Sequence, residues 1–141
     1  MGKQTLNINI AHYTSYFHDG SILKITHHEK SMTIVMESAE MHEEDIVDDL
    51  ILSKDDRILG CLHIEGIKNI TEDDKETTTK IEMKFPDAEI FRFRLGSNSV
   101  KFHILWFTIP ANSGVNDYSD LEITADRIWW ENLPEITRVY S

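Results

Sequence analysis

A single cysteine, Cys61, stands in a chain of 141 residues. An internal disulfide framework is therefore excluded, and a reducing compartment, the cytoplasm, is the expected location. Long apolar runs are missing as well. No stretch approaches the roughly 20 residues of a membrane-spanning helix, and the opening MGKQTLNINI lacks the basic flank and apolar segment of a signal peptide. A soluble protein is expected, in which the sequon Asn69-Ile70-Thr71 carries no glycan. Cations are scarce: 14 Lys and Arg face 25 Asp and Glu, a formal net charge of −11. The deficit is spread over both halves of the chain, with no acidic tail. A field of that sign disfavours nucleic acid and anionic membranes and speeds encounter with basic partners.

The signatures of catalysis are absent too. There is no glycine-rich phosphate loop and no serine in a nucleophile-elbow setting. Seven histidines invite a metal reading. Yet His18-Asp19, His27-His28 and His42 followed by Glu43, Glu44 and Asp45 have none of the paired spacings of zinc motifs, and neighbours on a strand point to opposite faces. The acidic runs at 40–49 and 72–76 lack the alternation and glycine of a calcium loop. Cys61, His63 and Glu65 share one face of a predicted strand and have the residue types of a thiol, a base and an orienting acid. Their Cβ atoms are about 6.6 Å apart, beyond hydrogen-bond reach, so an ordinary outer face accounts for them. His18-Asp19-Gly20 reads as a turn, with the aspartate bonding backbone amides and the glycine taking positive φ. No catalytic residue, cofactor or metal ligand is assigned, and the balance is against an enzyme.

What the chain does contain is alternation. Residues 17–38, FHDGSILKITHHEKSMTIVMES, form two alternating arms around a polar turn, and residues 85–106, FPDAEIFRFRLGSNSVKFHILW, repeat the pattern. A shift of 68 places Phe17 on Phe85, Asp19 on Asp87, Ile22 on Ile90 and Ser31 on Ser99 without a gap. The phase agrees, which matters more because a one-residue slip reverses every side chain. Leu23 and Ile25 fall on Phe91 and Phe93, and Met32, Ile34 and Met36 fall on Val100, Phe102 and Ile104. Lys24, Arg92, Arg94 and Lys101 take the opposite face. Farther on, DLILSKDDRIL at 49–59 matches DLEITADRIW at 120–129 with one residue removed. An internal duplication, residues 17–59 and 85–129, is the expectation, within a single domain spanning residues 1–141.

Other segments also favour strands: 4–10 through Leu6, Ile8 and Ile10; 57–67 through Ile58, Leu62 and Ile64; and 79–85 through Ile81, Met83 and Phe85. Gly60 and Gly66 mark bends or close approach. Residues 40–51 are the exception, because Ile46, Val47, Leu50 and Ile51 have helical spacing and predict one short helix. The fold class is all-β, an antiparallel β-sandwich or barrel built from two hairpin-containing halves.

The stretch F-H-D-G-x-I at 17–22, followed by its alternating hairpin, together with A-D-R-I-W-W at 125–130, resembles small bacterial proteins of uncharacterised families, some of them close to toxin-neutralising immunity proteins. The resemblance implies a β-rich, non-catalytic domain that binds something, and it carries no functional residues over. The expected function is protein binding, of the immunity type, through acidic loops that meet a basic protein. Glu43, Glu44, Asp45, Asp48 and Asp49 supply the charge, and Trp129 or Trp130 an apolar anchor. The competing expectation is a small-ligand-binding β-barrel or an unrecognised enzyme that uses the interior or mouth of the barrel, lined by Met36, Phe102, Trp106 and Trp129.

Overall fold

The computed structural model describes residues 10–77, 81–83, 87–107 and 117–135. Its strands are β1 (Gly20–His28), β2 (Ser31–Glu37), β3 (Leu59–Glu72), β4 (Lys75–Glu76), β5 (Asp87–Leu95), β6 (Ser99–Phe107) and β7 (Asp117–Asn132). Every pairing is antiparallel: β1 with β2, β2 with β3, β3 with β7, β7 with β6, β6 with β5, and β5 back to β1. Six strands thus close into a barrel, and β4 is a short addition beside the end of β3. The all-β expectation holds, with a barrel rather than a sandwich. Closure pairs the edges that an open sheet would leave exposed. No helix among the described residues is long and apolar enough to cross a membrane.

Period-two alternation explains the inner surface. Met32, Ile34 and Met36 on β2, Leu62 and Ile64 on β3, Val100, Phe102 and Ile104 on β6, and Leu121 and Ile123 on β7 are all buried. Phe93 stacks on Phe102 with ring centres 5.0 Å apart. The segment expected as a strand at 4–10 lies outside the described residues except for Ile10, where a 3-10 helix, Ile10–Phe17, begins. That helix inserts Phe17 edge-on against Phe93 at 5.2 Å and Trp130 at 5.9 Å. Of the strand expected at 79–85, only residues 81–83 are described, and they have no regular structure.

Shifted by 68 residues, the two hairpins pair in one register: Ile25 faces Ile34 as Phe93 faces Phe102, and Thr26 faces Thr33 as Arg94 faces Lys101. Each skips a residue at the same place, between Ile22 and Lys24 and between Ile90 and Arg92. This bulge changes the expected faces. It turns Ile22 and Ile90 inward, leaves Leu23 half-buried, and puts Phe91 46% exposed on the outside; Ile25, paired with Ile34 beyond the bulge, packs against the core but is half-buried where burial was expected. Lys24, Arg92, Arg94 and Lys101 are exposed as expected.

The later match between 49–59 and 120–129 has no structural counterpart. Residues 49–58 contain no strand, whereas 120–129 are strand throughout. By pairing, the partner of β7 is β3: Leu62 and Ile64 lie opposite Ile34 and Met32, as Leu121 and Ile123 lie opposite Phe102 and Val100. Asp19 and Asp87 also differ, the first sitting in a turn at φ 68 and the second opening β5. Gly20 is not the left-handed residue of its turn. A Cβ there would stand 2.3 Å from the Glu37 carbonyl oxygen, so the close approach of β2 demands glycine. The bend expected at Gly66 is real, with φ 67.

Candidate functional site

Between β2 and β3 the chain makes a long excursion, residues 38–58, in place of the short helix expected at 40–51. Only Glu43–Asp45 form one turn of 3-10 helix. The helical spacing arises for another reason: Leu50 is buried and Ile46 is half-buried beneath the loop, while Val47 and Ile51 point away.

The excursion is tied down at many points. Its ends are joined by Ser38, whose N–H donates to the Ile58 carbonyl at 2.9 Å and whose Oγ accepts the Ile58 N–H at 2.8 Å. Arg57 Nη1 donates to the Ser38 carbonyl at 3.0 Å. Ser53 Oγ accepts the amides of Asp55 and Arg57. The apex is pinned by Tyr13, whose hydroxyl donates to Asp48 Oδ1 at 2.6 Å and accepts the Val47 amide at 3.2 Å. Asp48 Oδ1 also accepts the Leu50 amide, and Asn132 Nδ2 donates to the Ile51 carbonyl at 2.8 Å. Burial, reinforced by Asp48, pushes the Tyr13 hydroxyl above its ordinary pKa. A loop with closed ends and internal bonds of this kind presents its surface in one shape.

On that surface Val47 is 74% exposed and Ile51 54% exposed. Around them Glu43, Glu44, Asp48 and Asp49 are exposed, and Asp45 is half-buried, accepting the His42 amide at 3.1 Å. The five acids named from sequence therefore share one loop, although Asp45 and Asp48 also fasten it. The tryptophans are elsewhere. Trp130 faces the barrel interior, 4% exposed, and its Nε1 donates to Asn132 Oδ1, so it is a core residue and not an anchor. Trp129 lies half-buried on the outer face of β7 and stacks on His63 at 4.2 Å. Val47 and Ile51 are the apolar residues that sequence reasoning missed. Their signal was the run Asp45-Ile46-Val47-Asp48-Asp49-Leu50-Ile51, in which apolar residues exceed what one buried face can take.

The outer face of β3 holds a second group. Cys61 lies opposite Glu131, and His63 lies opposite Trp129. His63 Nε2 is 2.9 Å from Glu131 Oε1, and its Nδ1 is 3.5 Å from Thr33 Oγ1. Glu65, the acid suggested by spacing, instead accepts from Trp129 Nε1 and Arg127. Burial, then the charge of Glu131, pushes the Cys61 thiol up to about 11. A nucleophilic thiolate is thereby disfavoured at neutral pH.

A third feature is a cleft of about 350 Å³ on the outside of β5, β6 and β7, lined by Phe91, Arg92, Arg94, Lys101, His103 and Asp120 among others. Arg92, Arg94 and Lys101 form no ion pair among the described residues, while His103 Nδ1 pairs with Asp120. The interior positions named for a ligand pocket, Met36, Phe102 and Trp106, are buried within the core cluster. No protein-family model, curated protein or solved structure matches this chain.

Proposed function

We propose that the protein is a non-catalytic binding module that engages a basic protein surface through the 38–58 loop. The observation that carries the reading is the exposure of Val47 and Ile51 on the same loop as Glu43, Glu44, Asp45, Asp48 and Asp49, a loop hydrogen-bonded to the barrel through Tyr13 and Asn132. Two exposed apolar residues on one acidic loop have the anatomy of a recognition site: desolvated contacts supply affinity and the rim supplies rate and selectivity. The net charge of −11 favours a cationic partner in the cytoplasm. The resemblance to small bacterial proteins of uncharacterised families, some of them close to immunity proteins, adds a partner class, a nuclease toxin, because a nuclease needs a basic cleft to hold nucleic acid.

The test is affinity capture from native lysate at low salt, followed by binding of the purified, identified partner to wild type, to Val47→Ser/Ile51→Ser and to a variant with the five acids changed to Asn or Gln. Support is a basic protein that loses at least about tenfold in affinity to the apolar variant, and whose salt dependence is reduced by the neutralised one. No specific protein, or one bound equally by both variants, overturns the proposal.

A second reading is a small-ligand site, and the observation favouring it is the cleft at Arg92, Arg94 and Lys101. Arg94 and Lys101 sit directly across from each other, an arrangement of like charges that an anionic ligand would relieve. A thermal-shift screen with phosphate esters and carboxylates tests it; no rise in melting temperature removes it.

A further inference from the structure

Cys61, His63 and Glu131 have a relation that no sequence spacing announces. One ligand atom from each, a sulfur, an imidazole nitrogen and a carboxylate oxygen, lies within 4.8 Å of the other two. We propose that these three side chains form a divalent metal site, of Zn²⁺ type, that fastens β3 to β7 and so joins the two three-stranded halves of the barrel.

The geometry requires little change. Zinc bonds of 2.0–2.3 Å in a tetrahedron place ligand atoms about 3.3–3.8 Å apart, so side-chain movements on the order of 1 Å suffice. Cys61 and Glu131 are cross-strand partners on a fixed register, and His63 lies two residues along the same face. The imidazole is already oriented. Trp129 stacks on it with planes 14° apart, and the Trp129 indole is held in turn by Glu65 at 3.2 Å. With Nε2 given to the metal, Nδ1–H is left to donate to Thr33 Oγ1, the outer contact that metal-bound histidines ordinarily have.

The donor set selects the ion. A thiolate with an imidazole and one carboxylate suits Zn²⁺ or Co²⁺ and not Mg²⁺ or Ca²⁺, which take oxygen ligands. Binding replaces the thiol proton: the S–H bond breaks, the S–metal bond forms, and one proton leaves to solvent. Two anionic ligands then balance the dication. His63 and Glu131 keep 21% and 14% of their side-chain surface accessible, which gives the ion a path in and leaves a fourth position for water. The same contacts argue against a nucleophilic triad, since His63 Nε2 faces Glu131 and Nδ1 faces Thr33 Oγ1, which leaves neither ring nitrogen to take the thiol proton.

The experiment uses the full chain after chelation and dialysis, titrated with Co²⁺ and then Zn²⁺. Because Cys61 is the sole thiol, a thiolate-to-cobalt charge-transfer band reads this site alone. The expected result is a band saturating at one equivalent, bleached by Zn²⁺, together with a zinc-dependent rise in melting temperature. Cys61→Ser should abolish the band, His63→Gln and Glu131→Gln should weaken binding at least about tenfold, and Thr33→Val about tenfold. Absence of a band in the wild-type protein, or cobalt affinity unchanged in both His63→Gln and Glu131→Gln, overturns the proposal.

Discussion

Changing Tyr13 to Phe removes one oxygen and leaves the buried ring in place. That oxygen makes two contacts, donating to Asp48 at 2.6 Å and accepting the Val47 amide at 3.2 Å. A hydrogen bond to a charged group contributes about 1.5–3 kcal/mol. Asp48 is exposed, so water re-solvates its carboxylate and the lower part of that range applies; the loss of the Val47 acceptor adds a further fraction. Tyr13→Phe should therefore cost about 2 kcal/mol in urea unfolding, with the m-value unchanged. The wild-type protein should also weaken in alkali. Its Tyr13 pKa is raised above 10.0, so the unfolded chain gives up this proton first; the contribution is fully present below pH 10 and is lost as the pH rises further. Tyr13→Phe should flatten that fall and speed amide exchange at Val47. A loss under about 0.5 kcal/mol, the surface range, with unchanged exchange at Val47, would refute the claim that this hydroxyl holds the loop.

Other outcomes follow from burial and backbone proximity. Phe102→Ala, which removes a ring stacked on Phe93, should cost about 3–5 kcal/mol by denaturant unfolding. Trp130→Ala should cost a similar 3–5 kcal/mol, whereas Val47→Ser should stay within about 0.5 kcal/mol, since one side chain is interior and the other faces solvent. Gly60→Ala should destabilise by about 2 kcal/mol or more, because the new Cβ would stand 2.2 Å from the Glu131 carbonyl oxygen, a backbone atom that cannot swing aside. Alkylation of Cys61 at pH 8 should be slow in the folded protein and fast after unfolding, as its thiol is buried and shifted up to about 11.

The hairpins were legible in the sequence because their cause is local: alternating side chains point to alternate faces, so Met32, Ile34 and Met36, and Val100, Phe102 and Ile104, announce an inner surface wherever the strand is placed. The shared register at a shift of 68 was readable for the same reason. The acids of the 40–49 run could be named as one cluster because they are neighbours in the chain. What lay beyond reach depends on contacts between distant residues. Closure into a barrel needs β1 against β5 and β3 against β7, and alternation is equally content with an open sandwich. The bulges at Leu23 and Phe91 exist to let paired strands curve, and a single strand carries no sign of them. Helical spacing over 46–51 reflected a loop anchored by Leu50 and by Tyr13, which is 35 residues away from Asp48, and the spacing alone cannot separate that from a helix. Cys61 and His63 were visible as neighbours on one face, but their carboxylate is Glu131, supplied across the β3–β7 register from 68 residues beyond His63. Alternation tells which side of a strand a residue takes, and only the pairing of strands tells what stands beside it.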